Sequence, residues 1–132
     1  MGLNTLFFQI KNNTLLVTMT IYDAQKNLIA EVDSNKWRIN KNLVSKFNFD
    51  EKGLEIFDNK GRIALSIDIL FNNTIQIQGL IENDVQVLYL TENGALFTTP
   101  NENEGIVNFL KRDPYRQLFK YTGKKWHGVR NN

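Results

Sequence analysis

Leu54 to Leu80 reads LEIFDNKGRIALSIDILFNNTIQIQGL, and this stretch decides the fold class. Apolar residues occupy alternate positions on both sides of the sequence DNKG at residues 58–61, which is the period of half-buried strands. Asp and Asn side chains bond the backbone of a turn and Gly accepts a positive φ, so DNKG predicts a hairpin. The polar break at Asn72-Asn73 predicts a third antiparallel strand after it.

A similar pattern occurs earlier in the chain. Ile21 to Val32 aligns with Ile56 to Ile67 without a gap, at an offset of 35 residues. Both segments read apolar, aromatic, Asp and turn, followed by apolar residues at alternating places, and both precede an Asn-bearing break and another strand. This echo predicts a duplicated strand-turn-strand module. Convergent hairpin chemistry without duplication is an equal alternative.

Further apolar runs extend the same organisation along the chain. Strands are predicted at Leu6 to Ile10, Leu15 to Tyr22, Val87 to Leu90 and Ala95 to Thr98. We therefore predict a mostly β protein, an antiparallel meander of about 8–10 short strands that forms a curved sheet, a barrel or a sandwich. The barrel-like form is favoured because pairing of the first strand with the last removes exposed edges.

The pattern changes after Pro100. Asn101 to Glu104 can cap a helix that continues through Leu110, and Asp113-Pro114 can start a second short helix over Tyr115 to Tyr121. The predicted organisation is a single β-rich domain over residues 1–123, with short C-terminal helices from about residue 103. A basic tail over residues 124–132 follows it.

Composition excludes several function classes. The chain has no cysteine and one histidine, His127, which argues against disulfides, thiolate metal sites, a Cys nucleophile and His-rich zinc sites. No catalytic set, metal site or cofactor is predicted. No apolar run has the length of a membrane span, and the N-terminal residues lack the basic region of a signal peptide, so a cytoplasmic location is expected.

Charge is unevenly distributed along the chain. The formal net charge is +2, but residues 111–132 hold seven basic residues against one acidic residue, and the preceding residues hold nine against thirteen. Basic and aromatic residues together favour phosphates and stacked bases. The alternative is that the aromatic residues are core residues of the predicted helices and the basic residues form solvated faces. The candidate binding residues are Lys111, Arg112, Arg116, Lys120, Lys124, Lys125, Trp126, His127 and Arg130.

Two segments repeat the Asp-x-Lys spacing of metal-dependent nucleases, namely Asp50-Glu51-Lys52 and Asp58-Asn59-Lys60. Both precede a glycine at a predicted turn, so turn formation is the favoured interpretation.

Three hypotheses for function follow. The first is a non-enzymatic binding or accessory module for a partner protein or a small ligand, favoured because no convincing acid–base set is present. The second is weak, salt-sensitive binding of nucleic acid or nucleotides through the basic aromatic C-terminal segment. The third is a carboxylate-dependent hydrolase that uses Asp50, Glu55, Asp58 or Asp68. The sequence leaves the identity of the partner and the oligomeric state open.

Overall fold

The computed structural model of the chain describes residues 5–10, 18–34, 36–70, 74–79, 85–91, 94–98, 108–110, 118–123 and 125–129. These residues form thirteen strands: β1 (Leu6–Ile10), β2 (Thr18–Asp23), β3 (Leu28–Asp33), β4 (Lys36–Ile39), β5 (Phe47–Asp50), β6 (Gly53–Phe57), β7 (Ile63–Ile69), β8 (Ile75–Gly79), β9 (Val87–Thr91), β10 (Gly94–Thr98), β11 (Asn108–Leu110), β12 (Leu118–Tyr121) and β13 (Trp126–Val129). Within these ranges no helix has the length and hydropathy needed to cross a membrane.

The strands form two antiparallel sheets. One sheet has six strands in the order β13-β12-β1-β2-β3-β4, and the other has seven in the order β11-β10-β9-β8-β7-β6-β5. The chain builds β1 to β4 in the first sheet and β5 to β11 in the second, then returns so that β12 pairs with β1. The predicted antiparallel meander is confirmed, with more strands than the sequence indicated. The favoured barrel-like closure is not seen among the described strands, which form two sheets in which β4 and β5 are separate edges and β1 pairs with β12.

The inner faces of the two sheets enclose one apolar core. Strands such as β1 and β8 bury every second residue, as the period of two requires. Across the sheets, Phe97 of β10 and Phe119 of β12 meet edge to face, with ring centroids 6.4 Å apart. Gly79 of β8 lies so close to Tyr121 of β12 that a Cβ atom there would collide with the Tyr121 hydroxyl. Burial of these apolar side chains is the main source of stability.

The predicted C-terminal helices are not present where the structure describes the chain. Asn108–Leu110 forms β11 and Leu118–Tyr121 forms β12. The residues of β12 alternate between half-buried and buried, with Phe119 and Tyr121 turned toward the core. Their apolar spacing suits a strand as well as a helix, and pairing of β12 with both β1 and β13 decides in favour of the strand. Residues 101–107 and 111–117 lie outside the described ranges.

Part of the predicted basic tail belongs to a sheet. Trp126–Val129 forms β13, the edge strand beside β12. The Trp126 side chain is 3% exposed. Its backbone N–H donates to Gln86 Oε1 at 3.0 Å, and its indole N–H donates to the Gln86 carbonyl oxygen at 3.0 Å. Since Gln86 precedes β9, these two bonds connect the edge of one sheet to the other sheet.

The two hairpins that the sequence aligns share an irregularity. The register between β2 and β3 shifts between Ile21 and Tyr22, and the register between β6 and β7 shifts between Ile56 and Phe57. These positions are separated by the 35 residues of the sequence alignment. In both cases two consecutive residues of the following strand are buried, as expected at a β-bulge. The hairpins are therefore equivalent in backbone geometry as well as in sequence.

Candidate functional site

A groove of about 320 Å³ lies where β5, β6 and β7 meet at the edge of the seven-stranded sheet. It opens near the tight turn that joins β5 to β6. It is lined by Asn48, Phe49, Asp50, Lys52, Gly53, Leu54, Glu55 and Asp68.

Strand register brings the acidic side chains of the groove together. Asp50 is opposite Gly53, and Gly53 is opposite Asp68, so these residues form one row across three strands. Glu55 is two residues along β6 from Gly53 and therefore lies on the same face. Alternation along three separate strands thus places three carboxylates around one opening.

Gly53 keeps the centre of this row free of a side chain. A Cβ atom at this position would collide with the Ile67 carbonyl oxygen of β7. The glycine therefore permits close approach of β6 and β7 and leaves space between Asp50 and Asp68.

The groove carries an excess of negative charge. Asp50, Glu55 and Asp68 contribute three carboxylates and Lys52 one ammonium group, which gives a formal charge of −2 for the lining residues. Asp50 Oδ1 also accepts backbone hydrogen bonds from Lys52 at 2.7 Å and Gly53 at 3.1 Å, which fixes the turn.

Neither ion pair in the described ranges involves a groove carboxylate. One pair joins Arg38 to Glu31, and the other joins Arg62 to Asp58. Glu55 and Asp68 therefore form no ion pair with a basic side chain of the described residues, and Asp68 Oδ2 accepts a hydrogen bond from Ser66 Oγ at 3.4 Å.

Exposed apolar surface lies beside this charge. Phe49 is 50% exposed and Leu70 is 42% exposed, and these are the exposed large apolar side chains of the described ranges. The Phe49 ring stacks near Phe47 with centroids 6.1 Å apart. Phe49 lines the groove together with the three carboxylates, whereas Leu70 follows Asp68 by two residues and lies outside the lining. That combination suits a ligand with a cationic group next to an apolar group.

The carboxylates proposed for a hydrolase do not all converge. Asp50, Glu55 and Asp68 line the groove, whereas Asp58 lies in the turn between β6 and β7 and bonds to Arg62. Across the described parts of the chain, no three His, Asp or Glu residues are arranged so that they could hold a metal ion.

Four of the predicted basic and aromatic site residues fall in the described ranges. Lys120 is half-buried on the outer face of β12, with its ammonium nitrogen 5.7 Å from the centre of the Phe7 ring. His127 is exposed and opposite Lys120 in the ladder, and Lys125 is exposed. Trp126 is in the core and has no face free for a base. The others, Lys111, Arg112, Arg116, Lys124 and Arg130, lie outside the described residues.

Sheet pairing adds two aromatic residues that sequence reasoning missed. Phe7 of β1 is opposite both Lys120 and Tyr22 in the register. His127, Lys120, Phe7 and Tyr22 therefore form one row across four strands on the outer face of the six-stranded sheet, which we call the cation–aromatic row. Only the pairing of β1 with β12 brings its members together, and a local pattern cannot reveal it. The groove residues Asn48, Phe49 and Leu54 were missed for the same reason, and Lys52 was noted only as part of the Asp-x-Lys spacing.

Comparison of the chain with protein-family models, with curated proteins and with solved structures gave no match in any of the three.

Proposed function

We propose that this chain is a non-enzymatic binding module whose groove, between β5, β6 and β7, holds a partner protein. The partner presents a basic side chain next to an apolar one. The observation that carries the proposal is that three carboxylates on one face of the sheet edge and the half-exposed ring of Phe49 on the other face line the same groove. A cytoplasmic location belongs to the same proposal, because the chain has no cysteine.

Both parts of the groove are needed for recognition. Carboxylates at a partly desolvated surface bind guanidinium or ammonium groups by charge-assisted hydrogen bonds and give specificity and fast association. The apolar contact with Phe49 adds affinity that salt does not screen. A cation alone or an apolar group alone satisfies only half of the site.

A pair of short peptides tests this proposal. Acetyl-Leu-Arg-Leu-amide should shift the backbone NMR signals of Phe49, Glu55 and Asp68, and acetyl-Leu-Gln-Leu-amide should bind about tenfold more weakly. The double variant Glu55→Gln/Asp68→Asn should bind both peptides equally. Glu31→Gln is the matched control, because that carboxylate lies on the other sheet and already has Arg38 as a partner. Equal binding of the two peptides by the native chain would overturn the proposal.

The cation–aromatic row supports a second candidate function, the binding of nucleic acid. The contact of Lys120 with Phe7 and the neighbouring His127 combine phosphate-binding and ring-stacking groups on one surface. Neutralising Lys124, Lys125 and Arg130, which continue this segment in sequence, should remove retention on a polyanion column at low salt. Adding Phe7→Leu should weaken binding of oligothymidine further. Unchanged retention in the neutralised variant would exclude this function.

A further inference from the structure

Among the described strands, none pairs with the outer side of β5, and this edge adjoins the groove and offers a way for the partner to bind through its backbone. We propose that the partner segment adds to β5 as an extra antiparallel strand, in which basic residues alternate with apolar ones. This inference rests on the proposed function of the groove and specifies the conformation and pattern of what binds there.

The direction of the β5 backbone groups follows from one hydrogen bond. The backbone N–H of Phe57 donates to the Lys46 carbonyl oxygen at 2.9 Å, just before β5 begins. In an antiparallel ladder, residues that bond the partner strand alternate with residues that point away from it. Lys46, Asn48 and Asp50 therefore face β6, and the N–H and C=O groups of Phe47 and Phe49 point toward the open edge. These backbone groups recur every second residue, which is the spacing at which an added strand would form hydrogen bonds with them.

One of the two edge strands of the six-stranded sheet, β4, shows how an edge is protected. β4 carries Lys36 and Arg38 at exposed positions, and basic side chains on an edge discourage further pairing. Within Phe47–Asp50, β5 carries no basic residue, although the exposed Lys46 directly precedes it, and β5 leaves an aromatic ring half exposed. Of these two edges, β5 is therefore the one suited to accept another strand.

The negative charge of the groove determines which kind of segment can add to β5. Side chains of an added strand alternate between two faces, so every second one would lie beside Asn48 and Asp50, from where a long basic side chain reaches Glu55. The intervening side chains would lie beside Phe47 and Phe49 and are expected to be apolar. The occupant that fits is an extended basic and apolar segment of another protein.

A peptide of seven residues in which Lys and Val alternate is the probe for this geometry. Binding is measured by fluorescence anisotropy with the native chain and with Glu55→Gln/Asp68→Asn, and Glu31→Gln again serves as the control. Two isomers of the peptide are compared, one N-methylated at every Lys and the other at every Val. Only alternate N–H groups of an added strand face β5, so one isomer should lose about tenfold in affinity while the other keeps it.

The outcomes separate the two proposals. If both isomers bind like the parent peptide while the double variant binds weakly, strand addition is overturned and the groove remains the binding site. If the parent peptide does not bind, both proposals fall. If the chain dimerises through β5 and the peptide does not compete, the occupant is a second copy and the proposed partner is wrong.

Discussion

The β2–β3 and β6–β7 hairpins have the same register shift, but they differ at the position that opens the groove. Gly53 of β6 corresponds to Thr18 of β2, and each lies opposite an aspartate, Asp68 or Asp33. Thr18 Oγ1 donates to Asp33 Oδ1 at 3.2 Å. In the first hairpin a hydroxyl on the opposite strand thus engages the carboxylate. In the second, Asp68 faces a glycine and accepts from Ser66 Oγ of its own strand at 3.4 Å. The lack of a side chain at Gly53 leaves the space beside Asp68 open.

The surroundings of the two hairpins differ as well. β2 pairs with β1, which is itself covered by β12, and Ile10 of β1 is 1% exposed. β6 pairs with β5, which ends the sheet, and Phe49 of β5 is 50% exposed. Ile10 is opposite Met19, and Phe49 is opposite the corresponding Leu54. Each hairpin therefore has one edge strand beside it, β4 or β5, and the groove of our proposal lies on the β5 side of the second hairpin.

The largest expected effect comes from adding a side chain at Gly53. Gly53→Ala forces β6 away from the Ile67 carbonyl oxygen, and we expect it to lower the free energy of unfolding by about 1–3 kcal/mol. It should also close the space between Asp50 and Asp68 and weaken binding of the alternating Lys–Val peptide. Urea unfolding measures the first effect, and fluorescence anisotropy measures the second.

Thr18→Gly is the reciprocal change. It removes the hydrogen bond to Asp33 and adds backbone freedom, and should cost about 1 kcal/mol in unfolding free energy without affecting peptide binding. If Gly53→Ala proves as stable as the native chain and binds the peptide equally well, the glycine does not shape the groove.

The turns of the two hairpins differ at the residue with a left-handed backbone. Lys26 has φ of 65° and the corresponding Gly61 has φ of 80°. A side chain in this region costs about 1–2 kcal/mol, and nothing lies within 4 Å of a Cβ atom at Gly61. Gly61→Ala should therefore lower the free energy of unfolding by about 1 kcal/mol through the backbone alone.

Lys26→Gly is the matched test in the other hairpin. It should raise the free energy of unfolding by less than 1 kcal/mol, because the greater freedom of glycine in the unfolded chain offsets part of the relieved strain. Urea midpoints measure both changes. If both substitutions changed the free energy of unfolding in the same direction, the two turns would not be equivalent.

Sequence reasoning succeeded where structure is local. DNKG at residues 58–61 and the alternation around it specify a hairpin without reference to the rest of the chain, and the equivalent hairpin at Ile21 to Val32 follows from the same signals. The prediction of C-terminal helices was wrong because the short apolar pattern of Leu118–Tyr121 fits both the helical period and the strand period. The pairing with β1 that decides between them involves residues more than a hundred positions away in the sequence. The groove could be predicted only in part. The sequence analysis named three of its carboxylates as candidates, Asp50, Glu55 and Asp68. Their proximity depends on the register across three strands and on the edge position of β5, which the sequence does not show.

Hydrogen bonding to an aspartate organises both turns. Asp23 Oδ1 accepts the backbone N–H groups of Gln25 and Asn27, each at 2.9 Å. Burial acts to raise the pKa of Asp23, but the bonds from the backbone and side chain of Asn27 and the backbone of Gln25 outweigh it, so the pKa lies below 3.8.

The second turn repeats this arrangement. Asp58 Oδ1 accepts the backbone N–H groups of Lys60 and Arg62, each at 2.9 Å. The bond from the Arg62 backbone is the largest influence on the pKa of Asp58, burial opposes it, and the Arg62 side chain and the Lys60 backbone add to it. The pKa again lies below 3.8.

These shifts predict loss of stability in acid. A carboxylate whose pKa is lowered on folding stabilises the protein fully above its unfolded pKa, and the contribution is lost as the pH falls through the folded value. The native chain should therefore lose stability below the ordinary value of 3.8, and the variant Asp23→Asn/Asp58→Asn should lose less. Urea midpoints at about pH 7 and about pH 3 measure the difference. A constant gap between native chain and variant at both pH values would contradict the prediction.

The smallest expected effect is a difference between the two turns in how salt changes the stability of their variants. Asp58 Oδ2 accepts from Arg62 Nε at 2.8 Å, whereas Asp23 Oδ2 accepts from the neutral Asn27 Nδ2 at 3.1 Å. The Arg62 side chain is 53% exposed, so salt should screen its ion pair. Arg62→Ala should lower the urea midpoint slightly at about 0.05 M NaCl and less at about 0.5 M, while the effect of Asn27→Ala should be the same at both concentrations. An equal salt response in the two variants would mean that charge adds nothing to the second turn, and that its aspartate acts only through the backbone bonds that both hairpins share.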